Sequence, residues 1–155
     1  MKFSTREDID ASIGDVFEML CDFNRYERAA MRRGADVRRI DTLEVPGEGT
    51  EWKVRFLMRG KEREMTLVVS SFERPDNMVV SLTSQGIVGE MSFELIALSL
   101  KKTRLLVALD VRPLSLPARL LLQSLKLTKS SLDKKFKTRV AEYAAGLQEQ
   151  TKGSV

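Results

Sequence analysis

The stretch EWKVRFLMRGKEREMTLVVSSF, Glu51 to Phe72, alternates along its length. Trp52, Val54, Phe56 and Met58 fall on one face, and Lys53, Arg55, Leu57 and Arg59 on the other. After a charged turn, Met65, Leu67 and Val69 resume the apolar face. Two strands meeting at a tight turn give this period of two. Their apolar face covers either a packed core or the wall of a cavity. The rest of the chain bears on which.

Upstream, residues 2–10 also alternate and read as a strand. The period changes at DASIGDVFEML, where Ile13, Val16, Phe17 and Leu20 have helical spacing behind a Ser12 N-cap, with Asp15 in the first turn. FNRYERAAMRR reads as a second short helix ended by Gly34. Strands are then expected over about 36–45, 50–59, 62–73, 77–85, 88–99 and 103–112. Turn-type sequences separate them: VPGEG, RGK, RPDN and SLKK, with SQGIVGE as a looser corner. Beyond Pro113 the pattern is helical to the end. Ser115 can cap it and Pro117 suits its first turn. Leu121, Leu125, Leu132, Phe136, Val140, Tyr143 and Leu147 form one stripe, read here as a single helix of some 30 residues, roughly 45 Å long.

This order predicts an α+β architecture. Six sequential strands joined by short turns argue for an antiparallel sheet, and the first strand makes seven. The sheet must curve, because one helix cannot cover a flat face of that width. A curved sheet gripping a helix leaves space between them, and such space tends to hold a ligand. Residues 1–150 are expected to form one domain and 151–155 a flexible tail.

Composition limits the chemistry. The 155 residues include one cysteine, Cys21, and no histidine. That excludes an internal disulfide, a Ser-His-Asp triad, a Cys-His pair and an imidazole metal site. Cys21 reads as a small buried hydrophobe. No metal or cofactor is expected, and any catalysis would rest on carboxylates, Lys, Tyr or water. No apolar run is long enough to span a bilayer, and MKFSTREDID lacks the apolar core of a secretory signal, so a cytoplasmic location is expected. The net charge is +4, with a pI near 9.3. Arg25, Arg28, Arg32, Arg33, Arg38 and Arg39 form one basic cluster, and Lys126, Lys129, Lys134, Lys135, Lys137 and Arg139 another. They read as solvated helix faces or as a weak contact with an anionic membrane. They are not interleaved with aromatics, so no nucleic-acid partner is expected.

Several short features together resemble the START-like, or SRPBCC, superfamily with its helix-grip fold, in the polyketide cyclase/dehydrase and lipid-transport group. In ASIGDVFEMLCDFNRYERA the matching residues are Val16, Phe17, Leu20, Asp22, Phe23 and Tyr26. Gly49 opens the third strand, and SSFERPDNMVVSL is similar to the family's acidic-proline turn. In FELIALSLKKTRLLVALDVRP, Phe93, Leu95, Thr103 and Leu105 match, while Lys102 replaces the usual glycine. The resemblance covers about residues 2–148. It implies a deep apolar cavity between sheet and C-terminal helix, holding lipids, sterols, polyketides, quinones or hormones. It brings no universal catalytic set. Members that catalyse often use His, Arg, Tyr or carboxylates.

The expected cavity wall is Trp52, Val54, Phe56 and Met58; Met65, Leu67 and Val69; Val80 and Leu82; Met91, Phe93 and Leu95; and, from the helix, Leu125 and Phe136. Met78, Leu105, Val107 and Leu109 share that inner face. Met58, Met65, Met78 and Met91 suit a tolerant pocket, since methionine adapts to varied apolar shapes, or simply fill gaps in a core. Trp52, Ser84, Tyr26, Tyr143 and Thr128 are the candidate inward polar groups. Asp110 is expected to pair with Arg104 or Arg112 at the surface. Three functions follow: binding or carriage of a small hydrophobic molecule, a cyclase/dehydrase-type enzyme acting on one, or a membrane-associated module using the basic helix surface. Oligomeric state is not legible.

Overall fold

The computed structural model describes residues 1–153. Strand β1 (Lys2–Ile9) leads through Ala11 and Ser12 into helix α1 (Ile13–Leu20). The Ser12 hydroxyl accepts the Asp15 N–H at 3.2 Å, which is the expected cap. Helix α2 (Phe23–Arg32) starts at once, capped by the Asp22 carboxylate, and Gly34 ends it at φ +90°. The strands follow as β2 (Asp36–Arg39), β3 (Glu51–Met58), β4 (Lys61–Glu73), β5 (Asn77–Ser84), β6 (Ile87–Ser99) and β7 (Lys102–Pro113). Helices α3 (Leu116–Lys126) and α4 (Lys129–Gly153) complete the chain.

All seven strands join one antiparallel sheet in the order β1-β7-β6-β5-β4-β3-β2. Register shifts at Val69/Ser71 in β4 and Ala97/Ser99 in β6 bend it, because an extra residue in one strand coils the pair. Gly89 in β6 allows close packing: a Cβ there would stand 2.7 Å from the Asp110 carbonyl oxygen. The opening hairpin is β3–β4, in the register Trp52↔Leu67 and Val54↔Met65, with Arg59 and Gly60 at its tip. Its outer face carries the charges, Lys53 and Arg55 both pairing with Glu64. Thr103 has a structural role, its buried hydroxyl donating to the Ala11 carbonyl at 2.8 Å and so tying the lead into α1 to β7. Lys102 already lies in β7 and the turn forms at Leu100–Lys101, so no glycine is required there.

Two expectations are corrected. Strand β2 stops at Arg39 rather than running to 45. Asp41 takes over beyond it, accepting the Arg39 guanidinium and the Leu43 and Glu51 N–H groups, which turns the chain out of the sheet. The single C-terminal helix is two helices. Thr128 breaks it: its hydroxyl donates to the Leu125 carbonyl, and its own carbonyl accepts the first α4 bond, from Leu132. The apolar stripe runs across this break, so periodicity alone does not reveal it. The cap-forming residues Thr128, Ser130 and Ser131 were the available signal. At the far end, Thr151 lies in α4, which continues to Gly153; residues 154–155 of the expected tail lie outside those described.

The core is concentrated where α1 sits on the sheet. Ile9, Val16, Phe17, Leu20, Val69, Leu95, Leu105 and Leu147 are all essentially sealed from solvent. Phe17 packs on Phe72 with ring centroids 5.3 Å apart. Arg74, at the β4–β5 turn, lies over both rings and pairs with Glu18 of α1. Helix α4 runs along β1, where Phe136 meets Phe3 at 5.7 Å.

Candidate functional site

The middle of the sheet is not filled in the same way. Between it and helices α2 and α4 lies a cavity of about 500 Å³. The floor comes from alternate residues of the strands: Val37 on β2, Trp52 and Val54 on β3, Met65 and Leu67 on β4, Met78, Val80 and Leu82 on β5, Met91 and Phe93 on β6, Val107 and Leu109 on β7. One side is α2, through Phe23, Tyr26, Glu27 and Ala30. The other is α4, through Phe136, Arg139, Val140 and Tyr143. Val80, Leu82, Met91 and Phe93 are only half-buried, although they sit on the inner face of central strands. They border the cavity instead of being sealed by the helices.

Of the expected wall, Trp52, Val54, Met65, Leu67, Val80, Leu82, Met91, Phe93 and Phe136 come together around this space. Five residues do not line it. Val69 and Leu95 lie in the sealed core at the α1 end. Phe56 is partly buried nearer the hairpin tip, opposite Arg63, and Met58 ends β3 at that tip. Leu125 belongs to α3, which the break at Thr128 carries away from the cavity. Three methionines therefore face the space rather than four. Missed from the wall were Phe23, Glu27 and Ala30, whose spacing of four and three marks one face of α2, and Arg139, which in the sequence is one cation of a basic cluster.

Polar groups enter at few points. Trp52 donates its indole N–H to Glu27 Oε1 at 2.7 Å, and Phe23 stands edge-on to the indole at 5.2 Å, so α2 is fixed to β3. The Tyr26 hydroxyl donates to the Leu20 carbonyl at 2.6 Å and bonds to the Tyr143 hydroxyl. Since the single Tyr26 proton goes to Leu20, Tyr143 must be the donor in the second bond. Both phenolic protons are thus engaged inside the protein. Burial pushes Tyr143 up to about 12 and Tyr26 well above the ordinary tyrosine value, so both stay neutral. Arg139 forms no ion pair among the described residues. The space is therefore an apolar chamber with a carboxylate on α2 and a guanidinium on α4.

The other candidates lie elsewhere. Ser84 donates to the Glu64 carbonyl, and Thr128 is spent at the helix break. The pairing of Asp110 with Arg104 or Arg112 is absent among the described residues; Arg104 instead grips Asp8 across β1–β7, at 2.9 and 3.3 Å. Cys21 caps α1, half-buried and off the cavity wall, and burial pushes its thiol up to about 11. Among the described residues no cluster of ligating side chains could hold a metal ion, and no helix is long and apolar enough to cross a membrane.

No protein-family model matches the sequence, and no curated protein matches it. Solved structures do match by shape. A protein from Thermus thermophilus superposes with TM-score 0.60 over 99% of both chains, at 13% identity. The Zhui aromatase/cyclase from Streptomyces sp. R1128 matches with TM-score 0.59 over 86% of this chain and 88% of that one, at 14% identity. A START superfamily protein from Mycobacterium smegmatis gives 0.55 over 86% and 95%, at 16% identity. The fold is the START-like helix grip. In this helix grip the gripped element is α4, and the chamber lies where α4 and α2 stand off the sheet.

Proposed function

We propose that residues 1–150 form one START-like domain that binds or carries a small hydrophobic molecule, of lipid, polyketide or quinone type, in the chamber between sheet and α4. The observation that carries this is the chamber itself: about 500 Å³, walled almost wholly by apolar side chains, on a face whose alternation would otherwise make a closed core. Pockets of this size and character suit a small organic ligand. Burial of its apolar surface would supply affinity at about 25 cal/mol per Å². Glu27 and Arg139 would orient its polar end. The test is native mass spectrometry of the purified protein, followed by titration with a fluorescent hydrophobic probe and displacement by fatty acids, quinones and polyketides. A co-purifying or displaceable ligand is expected. An empty protein that takes up none of them would overturn the reading.

A second reading is an enzyme of cyclase/dehydrase type. It is favoured by Glu27 and Arg139 facing one space and by the likeness in fold to the Zhui aromatase/cyclase. The two tyrosines speak against it, since both phenolic protons are engaged in hydrogen bonds within the protein. Turnover of a bound polyketide that Glu27→Gln abolishes, with probe binding retained, would establish it. Unchanged ligand recovered after long incubation would rule it out.

A further inference from the structure

Helix α3 shows its apolar side to solvent. Leu114, Leu116, Leu120 and Leu127 are 71%, 67%, 58% and 87% exposed. At 3.6 residues per turn, Leu116, Leu120 and Leu127 fall within about 40° of arc and so form one ridge. Ala118 and Leu122 hold the opposite face against the protein. Arg119 and Lys126 flank the ridge on one side, and residues 114–129 contain no Asp or Glu. Beside the same helix, Arg59 at the β3–β4 tip donates to Ser124 at 3.4 Å. A cleft of about 400 Å³ opens there, lined by Lys61, Glu62, Arg63 and Gln85 against Leu121 of α3. The Nε of Arg63 is buried in this region with no hydrogen-bond partner.

We propose that α3 docks on an anionic lipid bilayer. The leucine ridge enters the acyl boundary, Arg119 and Lys126 meet the headgroups, and a headgroup oxygen reaching the cleft satisfies Arg63. A ridge of leucines with cations at its edge is the pattern of a helix lying in a membrane interface. Charge decides the occupant. A second copy packed ridge to ridge would bring two sets of Arg119 and Lys126 together with no acid on α3 itself, the one acid of the neighbouring cleft, Glu62, lying between Lys61 and Arg63, whereas an anionic leaflet complements the helix's cations. None of the ridge residues lines the chamber, so the inference does not depend on what the chamber holds.

The test is co-sedimentation of the purified protein with vesicles of phosphatidylcholine alone and with about 30 mol% phosphatidylglycerol. Binding to the anionic vesicles only is expected, weakened by salt. Leu116→Ser, Leu120→Ser and Leu127→Ser together should lower the affinity about tenfold or more, because the inserted apolar area is lost. Their melting temperature should stay near wild type, since these side chains are mostly exposed. Arg119→Gln with Lys126→Gln should lower the affinity about 25-fold, at about fivefold per cation. The proposal is overturned if the wild type ignores anionic vesicles. It is equally overturned if the triple serine variant binds as wild type does, which would leave only the diffuse charge of a basic protein. A concentration-dependent dimer that the same three serines disperse would also overturn it, by giving the ridge to a second copy.

Discussion

At the α1 end of the sheet, Val69, Leu95 and Leu105 are closed off completely, whereas in its middle Val80, Leu82, Met91 and Phe93 remain half-buried. Both sets are inner-face residues of the same sheet, with the same alternation. The difference lies in what is laid over them. Helix α1 presses Phe17 and Leu20 onto the sheet, and Arg74 locks the β4–β5 turn over it. Helices α2 and α4 bury Phe23, Val140 and Leu147 and are tied by Trp52 to Glu27 and Tyr26 to Tyr143, yet they bridge the middle without filling it. Interiors normally pack to crystal density, and the middle of this sheet departs from that.

The sharpest way to break this contrast is a large-to-small change in each half. Phe17→Ala should cost about 3–5 kcal/mol in urea unfolding, the range for deleting a sealed aromatic. Phe93→Ala, on the chamber floor, should cost well under half of that, since one side of its ring has no protein neighbour to lose. Equal costs would mean that the middle is packed after all. Filling is the complementary change. Leu82→Trp should abolish uptake of a hydrophobic probe with little loss of stability, while Leu95→Trp in the sealed half should destabilise by about 1–3 kcal/mol through overpacking. Tyr143→Phe removes the donor that ties α4 to α2 and should cost about 1 kcal/mol in the same unfolding assay. The smallest effect is expected from the loop beyond β2. The Arg39 guanidinium, with help from the Glu51 and Leu43 N–H groups, holds the Asp41 carboxyl at about 2, below its unfolded value of 3.8. Its stabilising effect is therefore complete above about pH 4 and fades as the pH falls toward 2. Asp41→Asn should flatten that part of the stability–pH curve by lowering stability at neutral pH, and the variant and wild type should converge as the pH falls toward 2.

The order of elements was legible because the strands alternate cleanly and their turns carry Gly, Pro, Asn and Asp. The helix grip followed from that order together with the α1–α2 signature. Period two also assigned the floor of the chamber, since it says which face a side chain takes. It does not say where along a strand a helix presses down, and so Val69 and Leu95 were placed with Val80 and Phe93. Leu125 was misplaced because a continuous stripe hides a break made by a single threonine hydroxyl. Arg139 went unseen for the opposite reason: a cation among cations gives no hint that one of them borders an apolar space.

The pairing of β1 has a consequence for how the domain is made. Lys2 lies opposite Asp110, Ile9 opposite Thr103, and the terminal ammonium of Met1 donates to the Val111 carbonyl at 2.7 Å. Strand β1 therefore leaves the ribosome with no neighbour until β7 emerges, at the far end of the sheet's sequence. Pairings so distant in sequence slow folding, because the loop between them must close before they gain anything. Hydrogen exchange on chains stalled before Lys102 should find the β1 amides unprotected, and protection should appear once Pro113 has cleared the exit tunnel. The sheet is thus completed from its last strand back to its first.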